Sequence, residues 1–310
     1  DGGTFRSFYC MPQAAPRNGP REGVLPFEKI ELLGRVADRL GVRKLRITGG
    51  EPLIRRNLAH LIRALRAIPG IEDIALTTNG VLLAERAAEL YDAGLRRINV
   101  HLDTLDRERF RTITRRDELH RVLEGVEACR RLGYGPIKIN AVAVKNLVEP
   151  DIVPLAHYGR ERDIEIRYIE FMPLDAQGLW DRDRVLTTDD MLGMLAAEFG
   201  PLEPLPDADP RAPATEYRFA DGVGSVGFIP TVTKPFCLNC NRIRLTADGK
   251  LRYCLFAIEE MDVRGLLRSG ASDDALEGVL RANVRAKWLG HEINSARFVA
   301  PPRPMYAIGG

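Results

Sequence analysis

The stretch Lys44-Leu45-Arg46-Ile47-Thr48-Gly49-Gly50-Glu51-Pro52 decides the fold. Leu45 and Ile47 share one face of an extended segment, and Arg46 and Thr48 share the other. The segment then runs into a glycine pair, which reads as a short strand ending in a loop. On its N-terminal side, residues 26–40 carry Phe27, Ile30, Leu33, Val36 and Leu40 at helical spacing and stop at Gly41. On its C-terminal side, residues 58–68 read as a helix stopped by Pro69-Gly70. The alternation continues outward, with strands expected over 73–77, 97–102, 137–144 and 164–171 and helices over 82–93, 121–132 and 151–162. Strands separated by helices of about 10–15 residues imply βαβ units and a parallel sheet. The α/β architecture expected is an incomplete barrel or an open doubly wound sheet. Polar residues gather at the strand C-termini (Thr48-Gly49-Gly50-Glu51, Thr77-Thr78-Asn79, His101, Asp103, Met172), where barrels build their sites.

The chain has 310 residues, with 45 basic and 43 acidic side chains for a net charge of +2. That balance gives no support to a nucleic-acid or membrane-surface partner. No stretch reaches the roughly 18 uncharged apolar residues of a membrane helix, and the first residues do not read as a secretory signal. Five cysteines, an odd number in a long chain, fit a reducing, cytoplasmic setting. A loop with Trp180, a helix near 188–199 and the Pro-rich stretch 201–213 place a boundary between a barrel unit, 1–200, and a second unit, 201–310. In the second unit, short strands are expected at 216–219 and 224–229 and helices at 261–267 and 273–287. Walker loops, G-x-G-x-x-G and G-x-S-x-G motifs are missing from the sequence, which removes support for the enzymes that use them.

Cys237, Cys240 and Cys254 form C-x2-C-x13-C. Zinc would need a fourth ligand from a distant part of the chain. An iron–sulfur cube held by three cysteines, with one iron open, fits the count better. Beside them Arg242, Arg244 and Thr246 alternate onto one face, and two arginines next to an open metal site suit an anion such as a phosphate chain. Lys138 and Asn140 share one strand face, as do Asn99, His101 and Asp103, so several strands offer polar groups to a common interior. An edge lysine and a hydrogen-bonded strand histidine are the plainer readings of Lys138 and His101. Cys129 reads as a small core residue on a helix.

Together these segments resemble the radical S-adenosylmethionine (SAM) enzymes. More narrowly, they resemble the GTP 3′,8-cyclase family of molybdenum-cofactor biosynthesis. The likeness is carried by Tyr9-Cys10-Met11-Pro12, Arg46 to Pro52, Thr77 to Gly80, Leu102 to Asp106, Lys138-Ile139-Asn140, Ile169 to Pro173, Phe236 to Thr246, Cys254-Leu255-Phe256 and the Gly309-Gly310 tail. It implies a partial (β/α)6 TIM-type barrel, the radical SAM core, with a C-terminal iron–sulfur cluster domain. It also implies a lyase that makes (8S)-3′,8-cyclo-7,8-dihydroguanosine 5′-triphosphate from GTP by a 5′-deoxyadenosyl radical. By position, Tyr9, Gly50, His101 and Met172 resemble SAM contacts, and Arg46, Thr77, Lys138, Arg242 and Arg244 resemble GTP contacts. Cys237, Cys240 and Cys254 resemble the ligands of a second [4Fe–4S] cluster, and Gly309 and Gly310 a tail required for catalysis. An electron donor such as a flavodoxin or ferredoxin is implied, and a homodimer is left open.

The first-cluster motif of the family, C-x3-C-x2-C, falls here on Gly3, Ser7 and Cys10. A serine usually contacts SAM where His101 stands. The family's first barrel strand and an early GTP-contacting arginine are expected to be missing before Asp1. Two other readings therefore stand beside the first: a non-catalytic nucleotide- and cluster-binding relative, and a peptide-modifying radical SAM enzyme with an auxiliary cluster.

Overall fold

The computed structural model describes residues 5, 7, 23–206, 209–287 and 291–309. Gly3, Tyr9, Cys10 and Gly310 lie outside the described residues.

The alternation read from the sequence becomes a run of strand–helix units. In chain order these are α1 (Phe27–Arg39), β1 (Lys44–Ile47), α2 (Leu58–Arg66), β2 (Asp73–Thr78), α3 (Leu83–Asp92), β3 (Arg97–His101), α4 (Arg107–Thr114), α5 (Leu119–Leu132), β4 (Ile137–Ala143), α6 (Ile152–Arg162) and β5 (Glu165–Glu170). Strands β1 to β5 pair in parallel, each with the next in sequence. Such sequential order is that of a singly wound barrel wall, whereas a doubly wound sheet reverses direction at a switch point. Ile74, Leu76, Ile98, Val100, Ile139 and Ile166 point outward into a buried core with Ile62, Leu83, Leu90, Val122 and Val126 of the helices. That leaves the alternate, polar positions of each strand facing the barrel interior.

Helix α7 (Thr188–Phe199) follows, opened by a capping box between Thr187 and Asp190. The strands β6 (Leu202–Pro204), β7 (Thr215–Phe219) and β8 (Ser225–Ile229) then join the same sheet. β8 pairs in parallel with β5, and β7 and β6 add antiparallel beyond it. The sheet thus runs across the Pro-rich boundary at 200/201, and residues 202–229 extend the barrel wall. Pro204 is tolerated because it sits on the outermost strand, where no ladder donor is needed.

A separate three-stranded sheet holds β9 (Arg244–Leu245), β10 (Lys250–Arg252) and β11 (Met261–Asp262). With α8 (Val263–Arg268) and α9 (Asp273–Arg285) it packs on α1 through Leu33, Val36, Leu251, Val263, Leu276 and Leu280. The short helix α10 (Met305–Ile308) ends the described chain. Cys129 on α5 is fully buried, and burial pushes its thiol up to about 12, as befits a core residue.

Candidate active site

Strand register lines up the interior polar residues in rows. Thr77 lies opposite Asn99, Asn99 opposite Lys138, and Lys138 opposite Glu165. One step toward the strand C-termini, His101 lies opposite Asn140, Asn140 opposite Arg167, and Arg167 opposite Gly227. Thr77 Oγ1 and Asn140 Oδ1 are buried with no hydrogen-bond partner. Buried polar atoms are nearly always satisfied, so these two mark a place for a polar ligand or water.

Lys138 is not an edge residue. It is buried on a central strand, and its Nζ is paired with Glu165 and, at 3.4 Å, with Glu216 of β7. Arg167 shares both carboxylates, reaching Glu216 at 2.9 Å. Gly227 makes this network possible: a Cβ there would lie 3.1 Å from Glu165 Oε1 and 3.2 Å from Arg167 Cγ.

Above this layer the structure brings three expected residues together. Partial desolvation, then the charges of Arg167, Arg97 and Arg242, lower the Arg46 pKa to about 10, although Arg46 as a whole remains solvent-exposed. Burial, then Arg242, lower Arg244 to about 10, with Arg46 adding to the effect. Guanidiniums crowded until their ordinary pKa falls want an anion between them. Arg244 also donates to the Gly309 carbonyl at 2.5 Å. Gly309 has φ +75°, and a Cβ there would come within 3.3 Å of the Thr48 methyl, so Gly309 lies against both the arginine cluster and the loop after β1. Thr246 turns away from this cluster: its hydroxyl donates to Asp248 at 2.5 Å and accepts from the Lys250 N–H, closing the β9–β10 turn.

The three cysteines stand beside the arginines. Arg242 Nη2 and Lys287 Nζ point at Cys240 Sγ from 3.5 and 3.6 Å, and the Phe256 N–H points at Cys254 Sγ from 3.4 Å. Burial opposes ionisation of Cys240, but the Arg242 N–H, Arg242 and Lys287 outweigh it and lower its pKa. N–H donors aimed at thiolate sulfurs are the surroundings an iron–sulfur cluster needs. Among the described residues no group of three or more His, Cys, Asp or Glu is gathered to hold a single metal ion. Three thiols with N–H donors directed at two of their sulfurs fit an iron–sulfur cluster by their chemistry.

Gly50, His101 and Met172 all fall at the C-terminal rim of the sheet, after β1, at the end of β3 and after β5. The rim is braced by two carboxylates that sequence reading gave no role. Glu51 is buried and accepts from Thr78 Oγ1 at 2.7 Å, the Leu53 N–H at 2.9 Å and the Asn79 N–H at 2.8 Å, which ties the Gly49-Gly50 loop to the end of β2. Glu170, fully buried, accepts from the N–H groups of Thr188, Val232 and Thr233 at 3.0, 2.9 and 2.8 Å, pinning α7 and the segment after β8 to β5. Glu170 ends β5, whereas Glu51 lies four residues past the end of β1. His101 Nε2 lies 3.2 Å from Asp103 Oδ2, whose other oxygen accepts from the Val142 N–H at 2.8 Å.

Residues 1–158 match the Radical SAM superfamily, and residues 164–293 match Molybdenum Cofactor Synthesis C. A GTP 3′,8-cyclase of Rhodopirellula baltica is 47% identical over 309 residues, covering 99% of this chain and 86% of that one. A GTP 3′,8-cyclase of Moorella thermoacetica is 40% identical over 306 residues, covering 99% and 94%. In fold, the chain is similar to Streptococcus suis SuiB bound to S-adenosylmethionine, with TM-score 0.60 and 15% identity, covering 91% of this chain and 64% of that one. Barrel, rim and cysteine-bearing unit together define a radical SAM protein. Within that class, the chain belongs to the GTP 3′,8-cyclase family.

Proposed function

We propose that the protein is a lyase that converts GTP to (8S)-3′,8-cyclo-7,8-dihydroguanosine 5′-triphosphate, using SAM and iron–sulfur chemistry, in molybdenum-cofactor biosynthesis. The observation that carries this reading is the meeting of the arginines with the cysteines and the tail: Arg242 Nη2 points at Cys240 Sγ from 3.5 Å, Arg244 donates to the Gly309 carbonyl at 2.5 Å, and Arg46 lies near enough to feel the charge of both. A triphosphate supplies the negative charge those guanidiniums lack, and fixed cations around it need no rearrangement during reaction. Thr77 Oγ1 offers a buried group to the nucleotide. Lys138 reaches a phosphate by loosening its hold on Glu165 and Glu216, which Arg167 retains. Cys237, Cys240 and Cys254 would hold a second [4Fe–4S] cluster, which would supply a Lewis-acidic iron for the purine.

Tyr9, Gly50, His101 and Met172 would hold SAM, with Cys10 as the thiol of the first-cluster motif. Bound SAM and a reduced cluster would supply the 5′-deoxyadenosyl radical that this reaction needs, and Gly3 and Ser7 give that cluster fewer thiolates than the motif calls for. Gly309 and Gly310 would close the site, held by Arg244. The electron donor is of the flavodoxin or ferredoxin class, and the setting is cytoplasmic. Among the described residues no helix is long and apolar enough to cross a membrane.

The test is mass spectrometry of the nucleotide after anaerobic reconstitution and incubation with SAM, GTP and a reductant. An isomer of GTP formed together with 5′-deoxyadenosine is the expected result, at far higher yield in Gly3→Cys/Ser7→Cys than in this chain. GTP recovered unchanged, both from this chain and from Gly3→Cys/Ser7→Cys, contradicts the proposal.

His101 makes SAM binding depend on pH. Burial pushes its pKa down, but the charge and hydrogen bond of Asp103 together raise it above the ordinary histidine value. A raised pKa shifts the ring toward its charged form, and the stability it adds is lost as pH rises through that pKa. SAM is itself cationic, so its affinity is expected to rise as His101 loses its proton. Titration calorimetry should show this slope in the native chain and a flatter one in His101→Ser. Equal slopes would contradict the SAM contact.

A further inference from the structure

We propose that Arg303 is a positioning residue that clamps the C-terminal tail to the turn carrying Cys254. The proposal rests on the cyclase reading only for its effect on turnover. Arg303 Nη1 reaches Asp248 Oδ2 at 3.2 Å and Glu260 Oε2 at 3.1 Å. Its Nη2 reaches Asp248 Oδ1 at 3.2 Å and donates to the Ala307 carbonyl at 2.7 Å. The guanidinium thus joins α10, two residues before Gly309, to two carboxylates of the cysteine-bearing unit. Forked contacts of this kind fix direction as well as distance.

Glu260 is shared. It also accepts from Arg252, whose side chain is fully buried and donates to the carbonyls of Leu255 at 3.0 Å and Ala257 at 2.5 Å. Those two residues flank Phe256, whose N–H points at Cys254 Sγ. A continuous chain of bonds therefore runs from the Cys254 turn through Arg252, Glu260 and Arg303 to Ala307, and the tail then ends on Arg244. Two arginines balance two carboxylates in it, so removing Arg303 leaves Asp248 and Glu260 with excess negative charge. The remaining tethers of the tail include the Met305 N–H on the Leu174 carbonyl at 2.9 Å and the buried Ile308 side chain. These hold α10 near the rim, and Arg303 sets where its end points.

The test uses the reconstituted full chain, its Arg303→Ala variant and its Arg303→Lys variant. Hydrogen–deuterium exchange read by mass spectrometry over residues 304–310 is expected to speed up at least about tenfold in Arg303→Ala, the scale of one lost charge-assisted contact. Arg303→Lys should recover part of the protection. Iron per chain and GTP affinity should stay within about twofold while kcat falls by about tenfold or more, a split that a general loss of stability does not produce. Exchange within about twofold of native in Arg303→Ala would overturn the clamp, because the tail would then be held without it. Iron loss in both variants, with exchange faster throughout the cysteine-bearing unit, would also overturn it and make Arg303 a support of the fold. The exchange measurement stands whether or not GTP is turned over, so failure of the clamp and failure of the cyclase reading are separable.

Discussion

Cys254→Ser is expected to remove about four irons per chain and to lower GTP turnover by at least about a hundredfold. Serine keeps the size of the side chain but offers a hard oxygen where iron–sulfur chemistry wants a soft thiolate. The turn itself should survive. Buried Arg252 holds the Leu255 and Ala257 carbonyls, and Leu251 packs in the core with Val263 and Leu276. The variant should therefore fold and elute as the native chain does while lacking one cube. Iron and sulfide assays check the first part, and product analysis the second. An unchanged iron count would show that Cys254 is not a ligand.

The second large effect is expected in the opposite direction. We propose that Gly3, Ser7 and Cys10 occupy the three positions of the first-cluster motif. Glycine has no ligating side chain, and serine is a poor donor to iron in a sulfide cluster. Ser7 is 2% exposed, and nearby Phe5 packs edge-on against Phe110 at 5.3 Å, so position 7 is set against the barrel core. Gly3→Cys/Ser7→Cys is expected to add about four irons per chain and to raise SAM cleavage by at least about a hundredfold. Counting 5′-deoxyadenosine per chain in single-turnover and steady-state assays measures this. No gain in either quantity would show that the two positions do not complete a cluster site.

The parts of this fold that were legible in the sequence are those whose pattern is local. β1 to β5 and their helices declare themselves because the apolar period changes from two to about 3.6 at each boundary. α4 carries little local signal because half of Arg107 to Thr114 is charged and it buries only Phe110, Ile113 and Thr114; Asp106 opens it by accepting from the Arg109 N–H at 2.7 Å. β6 lies in a Pro-rich stretch that reads as a linker. The parallel pairing of β8 with β5 joins segments about 60 residues apart, for which neither strand carries a local signal.

The site divides the same way. Cys237, Cys240 and Cys254 stand out by spacing, and Arg242 and Arg244 by adjacency to them. The convergence of Arg46 with Arg242 and Arg244 depends on the cysteine-bearing unit folding back over the ends of the strands, and the arrival of Gly309 depends on Arg303 and Arg244. The Lys138 network needs Glu216, 78 residues away, and a glycine at 227 to leave room for it. Such contacts are set by tertiary packing, and a single sequence displays the residues without displaying their meeting.

The central claim, a thiolate-held cluster beside arginines that bind a purine triphosphate, is tested most directly by electron paramagnetic resonance of the reduced, reconstituted chain during a GTP titration. The account predicts a cluster signal that shifts with GTP and saturates at one nucleotide per chain. In Arg244→Ala the same shift should require about 10- to 100-fold more GTP, the loss of a charge-assisted contact. A chain that binds zinc and shows no cluster signal, or a signal indifferent to GTP at every concentration, would contradict it.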